Sequence, residues 1–217
     1  MKPVFIDRTK LMEFDIFTST SFGFIGGVIR LLTWGLPGIG NMWKGTHTGF
    51  VVKHENEWKV IEMMPTSEML RYVHVNKEKI IDPDEFINLP PEVRSLYKAV
   101  TIKTGFQMNP LSNYEHDVFG CHFVFVGRLP LMNDEKREVA RKYVMDKIES
   151  GIPYDYSELI TFPFGKDTNK GEDICSRLVY NTLQKVVIDQ PANWKNKVSP
   201  ADYQRWPALQ SIPYKLV

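Results

Sequence analysis

Cysteine is scarce in this chain: only Cys121 and Cys175 occur among 217 residues, and they form no CxxC pair. A disulfide framework or a multi-cysteine structural zinc site is thereby excluded, and both thiols are expected to be free. An excess of charge of one sign is also missing, since 27 Lys and Arg stand against 26 Asp and Glu. That balance offers no field for nucleic acid or an anionic membrane surface, and no nucleic-acid-reading motif supplies a local one. The most apolar stretch, FGFIGGVIRLLTWGLPGIG, is cut by Arg30, glycines and Pro37, and it falls short of the ~20 residues that cross a bilayer. The opening MKPVFIDRTKLMEFDIF carries charges where a signal peptide needs an unbroken apolar region, so export by the usual route is not encoded and a cytoplasmic location is expected. Internal repeats and low-complexity linkers are absent as well.

What is present is core material: 43% apolar residues with 12% aromatics, enough for one substantial domain spanning residues 1–217. FIGGVIRLLTWG has near-helical apolar spacing and ends at the breaker cluster Gly35-Leu36-Pro37-Gly38. HTGFVV and EWKVIEMM are β-rich runs around Lys53-His54-Glu55-Asn56, which predicts a hairpin. Residues 76–120 are more polar and hold four prolines, with YKAVTIKTG as their one clear strand, so this segment is a candidate insertion or lid. CHFVFVGRL follows as a strand. NDEKREVARKYVMDKIESG then predicts a helix capped by Asn133 and stopped by Gly151, with Ala140, Tyr143, Val144 and Ile148 on one face. A further helix from about Asp173 places Leu178, Val179, Thr182, Leu183 and Val186 on one face. Helices on a mainly antiparallel sheet or small barrel, an α+β arrangement, is the expected fold class.

Cys175 falls in the first turn of that last helix, where unpaired N–H groups and the positive end of the helix dipole favour an anion. Such a position suits a reactive thiolate, and it equally suits a small buried hydrophobe. A base would decide the matter. If Glu55 and Asn56 form a two-residue turn, Gly49 pairs with Glu62, and His47 and Glu62 become diagonal neighbours ~7 Å apart on one face. A carboxylate could then orient an imidazole, which could deprotonate a thiol on a helix laid across that face. A satisfied strand histidine beside an edge glutamate fits the same spacing, and a one-residue slip would separate the pair. Cys121 and His122 point to opposite faces of an alternating strand, so with His116 they make a poor metal cluster or rival dyad. His54 at the hairpin tip and His74 in a charged stretch read as solvated surface. No phosphate-cradling glycine motif occurs. Trp34 and Trp43 flank the Gly-rich loop before His47; both suit a loop anchor, and Trp43 is kept as a candidate wall of a substrate cleft.

The ordered series FDIFTSTSFGFIGGVIRLLTWG, THTGFVV, VIEMMP, GIPYDYSEL, DICSRLVYNTL and VSPADYQRW resembles the circularly permuted NlpC/P60 hydrolases, in their YiiX/YebB-like subgroup. The likeness runs from about Phe14 to Trp206 and is weakest over 76–120. It implies a papain-like thiol hydrolase with Cys175 as nucleophile, His47 as base and Glu62 as the orienting third residue, needing no metal or organic cofactor. It also implies Tyr154, with Tyr156 as the fallback, lining a substrate site, and backbone N–H groups at the nucleophile's helix facing an oxyanion. Relatives often carry an acidic or amide residue two places after the nucleophile, where this chain has Arg177, so borrowed specificity does not transfer. The expected substrate is a peptide amide in peptidoglycan-derived fragments. The alternatives are a lipid acyl hydrolase or acyltransferase using the same thiol and a binding module that keeps only the fold. A cell-wall role without an export signal would imply work on recycled fragments, a phage-encoded factor, or release by a non-standard route.

Overall fold

The computed structural model describes residues 4–21, 45–64, 69–76, 79–102, 105–115, 121–151, 174–194 and 198–216. Eleven strands and six helices lie among these residues. The strands are β1 (Val4–Ile6), β2 (Asp15–Ser21), β3 (His47–His54), β4 (Glu57–Met64), β5 (Met69–His74), β6 (Ile80–Ile81), β7 (Tyr97–Ile102), β8 (Gly105–Pro110), β9 (Cys121–Arg128), β10 (Gln210–Ser211) and β11 (Tyr214–Leu216). The helices are α1 (Pro83–Ile87), α2 (Pro91–Arg94), α3 (Leu111–Glu115), α4 (Asp134–Glu149), α5 (Cys175–Lys185) and α6 (Pro200–Gln204).

A six-stranded sheet in the order β10-β9-β2-β3-β4-β8 carries the fold, with a three-stranded sheet β6-β5-β7 and a two-stranded pair β1-β11 beside it. Every pairing is antiparallel. The class is α+β. Its main sheet is open among the described residues, since no pairing joins β10 to β8.

The main sheet is buried on both faces, which explains why its central strands read as apolar runs rather than clean alternations. On one face Ile16, Phe50, Val52 and Ile61 pack with Ala140 and Val144 of α4, Leu178, Val179 and Leu183 of α5, and Tyr203 of α6. On the other, Phe17, Val51, Val60 and Val126 pack with Leu111 and Tyr114 of α3. Helix α4 forms as its sequence dictates: Asn133 accepts from the Lys136 N–H at 2.9 Å, and Gly151 takes up φ +62° just past its end. Strand β2 was not legible, because four of its seven residues, Thr18 to Ser21, are hydroxylic and imitate a loop.

The polar segment 76–120 divides in two. Residues 80–102, with β5, build the separate three-stranded sheet, while β8 pairs with β4 at the main sheet's edge and α3 packs on that sheet's second face. The expected first helix at 24–35 lies outside the described residues. No helix among the described residues is long and apolar enough to cross a membrane.

Candidate functional site

The β3–β4 hairpin sets the geometry. Glu55 and Asn56 take φ of 52° and 63°, so both turn residues are left-handed, the type I′ pattern that matches strand twist. The ladder then runs His54–Glu57, Lys53–Trp58, Val51–Val60 and Gly49–Glu62. His47 and Glu62 are thus diagonal neighbours across Gly49. That glycine is required: a Cβ there would lie 2.3 Å from the Ile61 carbonyl oxygen and 3.2 Å from Glu62 Cβ.

His47 Nε2 and Glu62 Oε2 are 2.5 Å apart in a buried contact. The carboxylate is fully enclosed, and its other oxygen accepts from Asn109 Nδ2 at 2.7 Å and from the Tyr114 hydroxyl. The Cys175 thiol lies close enough to His47 to act on its pKa. With Nε2 taken by the carboxylate, Nδ1 is the ring nitrogen left for the sulfur. Burial by itself would disfavour the imidazolium, but the Glu62 charge, the nearby Cys175 and the hydrogen bond to Glu62 outweigh it, and the pKa of His47 is raised from 6.5 to about 10. The ring is held protonated at neutral pH, so both its nitrogens donate and no tautomer need be chosen.

The thiol does not arrive as the hairpin alone suggests. Helix α5 packs on the Phe50, Val52 and Ile61 face, opposite the one that His47 and Glu62 share with Val51 and Val60. The two meet at the sheet's end. The β3–β4 ladder stops at Gly49, two residues short of His47, and Cys175 sits there in a small apolar cluster with Met63, Ile174 and the partly buried Phe106.

Helix α5 begins one residue later than its sequence suggests to be capped. Ile174, not Asp173, is its N-cap residue, and the Ile174 side chain makes no cap hydrogen bond. The positive end of the helix favours an anion beside Cys175. From behind, the buried Tyr203 hydroxyl donates to the Ser176 carbonyl at 3.1 Å and fixes this turn. Burial pushes the Tyr203 phenol well above its ordinary range, which leaves it a donor at working pH. Arg177, next in line, is half-buried.

Of the residues singled out in the sequence, Cys175, His47 and Glu62 come together. Trp43, Tyr154 and Tyr156 lie outside the described residues, as do Trp34, His116, Asp173 and the side chains of Cys121 and His122. His54 is exposed near Glu55, and His74 is half-buried with its ring edge-on to Tyr97. Asn109 and Tyr114 were not singled out, and only the pairing of β8 with β4 brings them in.

No family model and no curated protein sequence matches this chain. Among solved structures it is similar to YiiX from Escherichia coli O157:H7, described as a metalloprotein, with a TM-score of 0.52 over 95% of this chain and 98% of that one. The fold is YiiX-like. At 15% identity the likeness to YiiX extends to the fold and no further.

Proposed function

We propose that this chain is a papain-like cysteine hydrolase of the permuted NlpC/P60 kind, cleaving an amide bond through an acyl-enzyme on Cys175. The observation that carries the reading is the buried His47–Glu62 contact with Cys175 close enough to act on the same ring. The Cys175 thiolate attacks the carbonyl carbon, and the oxyanion that forms is met by N–H groups at the start of α5. His47, held charged by Glu62, gives the Nδ1 proton to the leaving nitrogen as the C–N bond breaks. The neutral ring then takes a proton from water, whose oxygen attacks the thioester, and the acid leaves as the thiolate and imidazolium are restored.

The resemblance points to peptide amides from peptidoglycan fragments as substrates. A second reading, acyl transfer or hydrolysis on a lipid, is favoured by the apolar surroundings of the thiol, Met63, Ile174 and Phe106. Both Glu62 oxygens are committed to protein donors, and no group of three or more His, Cys, Asp or Glu among the described residues is placed to hold an ion.

Intact-mass spectrometry of the protein mixed with muropeptides or with long-chain acyl esters tests the proposal. A covalent adduct on Cys175 from muropeptides, lost in His47→Ala, is the expected result. An adduct from acyl esters alone selects the lipid reading. No adduct from either, with Cys175 no faster than an unfolded thiol toward iodoacetamide, returns the chain to a binding role.

A further inference from the structure

Glu62 has more partners than an orienting carboxylate needs. One oxygen, Oε2, serves His47, while Oε1 accepts two donors, Asn109 Nδ2 at 2.7 Å and the Tyr114 hydroxyl. Those donors come from β8 and α3, 47 and 52 residues further along the chain.

We propose that Asn109 and Tyr114 are positioning residues of the thiol site, which lock the Glu62 carboxylate so that Oε2 faces His47 and the ring's other nitrogen faces Cys175. This rests on the thiol-site reading above. A glutamate has three side-chain torsions, and one hydrogen bond to His47 leaves rotation about the last of them open. Two donors converging on Oε1 close it. They also solvate the charge in a place where an unpaired ion would be costly.

The clamp is itself held by rigid elements rather than by loops. Asn109 faces Val60 in the β4–β8 ladder, two residues from Glu62 on the same side of the strand. Tyr114 is almost fully buried, its ring edge-on to Phe17 at 4.6 Å between centroids. The next residue, Glu115, accepts hydrogen bonds from both terminal nitrogens of the Arg8 guanidinium and from the Ile6 N–H at 2.7 Å, tying α3 to the start of the chain. Such rigidity suits a device whose purpose is to fix one rotamer, and it would be surplus for merely satisfying a buried carboxylate.

The test is the pH profile of Cys175 alkylation by iodoacetamide, followed by mass spectrometry on the full chain, in wild type, His47→Ala, Glu62→Gln, Tyr114→Phe and Asn109→Leu. Tyr114→Phe deletes one oxygen and keeps the ring packed on Phe17. The expected result is fast alkylation at pH 6 in wild type, lost in His47→Ala, and slowed about tenfold in each clamp variant through an upward shift of about one unit in the profile. Clamp variants that match a reactive wild type overturn this proposal and leave the thiol site standing. A wild type that titrates like an unfolded thiol overturns both. If both clamp variants unfold while Glu62→Gln stays folded, the pair serves the fold alone and the proposal fails.

Discussion

At the scale of single residues, His47 links the site to stability. Its folded pKa, about 10, lies above the 6.5 of an ordinary histidine, so the native state binds a proton that the unfolded chain releases first. The contribution is therefore complete below pH 6.5 and is lost as pH rises through about 10. Urea unfolding of wild type between about pH 8.5 and 10 should lose up to about 1.4 kcal/mol per pH unit from this group, and His47→Gln should remove that slope; below about pH 8.5 the proposed thiolate offsets it, because the unfolded chain's Cys175 binds a proton that the native thiolate does not. Glu62→Gln removes the largest influence raising the pKa, so its loss should shrink and end at a lower pH. Equal slopes above about pH 8.5 in all three proteins would show that His47 is not held charged. The pairing behind this behaviour was readable in advance, because a two-residue turn fixes the register of everything above it and Gly49 marks a close approach. Asn109 and Tyr114 were not readable. Nothing local in GFQMNPLSNYE says that its strand will pair with β4 rather than with its neighbours in the polar segment.

Elements whose signals are local were legible, and those defined by distant pairing were not. Asn133 and Gly151 bound α4 as their chemistry requires, and the buried stripe of α5 from Leu178 to Val186 follows its 3.6-residue period. The same period says nothing about which face of a two-sided sheet the helix covers, so the approach of Cys175 round the sheet's end could not be read from it. The hairpin that carries His47 and Glu62 also holds a local misfit. Glu55 occupies a left-handed position at φ 52°, which glutamate tolerates poorly, and its carboxylate meets Lys59 and His54 at the surface. Asparagine and glycine are the residues this turn type prefers, so Glu55→Asn with Asn56→Gly should stabilise the protein by about 0.5–1 kcal/mol. The measurement is a rise in the urea midpoint at constant m-value. A fall would mean that the exposed Lys59–Glu55 ion pair outweighs backbone strain.

Across the whole molecule, burial is unevenly shared between the two larger sheets, and this predicts where the protein opens. Ile16, Phe17, Phe50, Val51, Val60 and Ile61 in the main sheet are at most 1% exposed. Among its described side chains the three-stranded sheet buries only Val73 and Ile81 of its apolar residues, and α1 and α2 bury none. A stack of Tyr72 on Phe86, 3.6 Å between centroids, holds α1 in place, while Val75, Ile87 and Leu96 stand exposed beside it. Amides of β5 and β7 should therefore exchange through a local opening several kcal/mol below the global unfolding that releases β2, β3 and β9. Both exits of the segment leave from one closed base, since Met64 at the end of β4 pairs with Gly105 at the start of β8. That ladder runs on past Glu62 to Asn109, so the opening stops short of the residues that hold the site. Native-state hydrogen exchange combined with Cys175 alkylation in mild denaturant tests this. Exchange in β5 and β7 should accelerate at denaturant concentrations that leave the alkylation rate of Cys175 unchanged. If both change together, the small sheet and the site belong to one cooperative unit, and the Met64–Gly105 pairing does not insulate them.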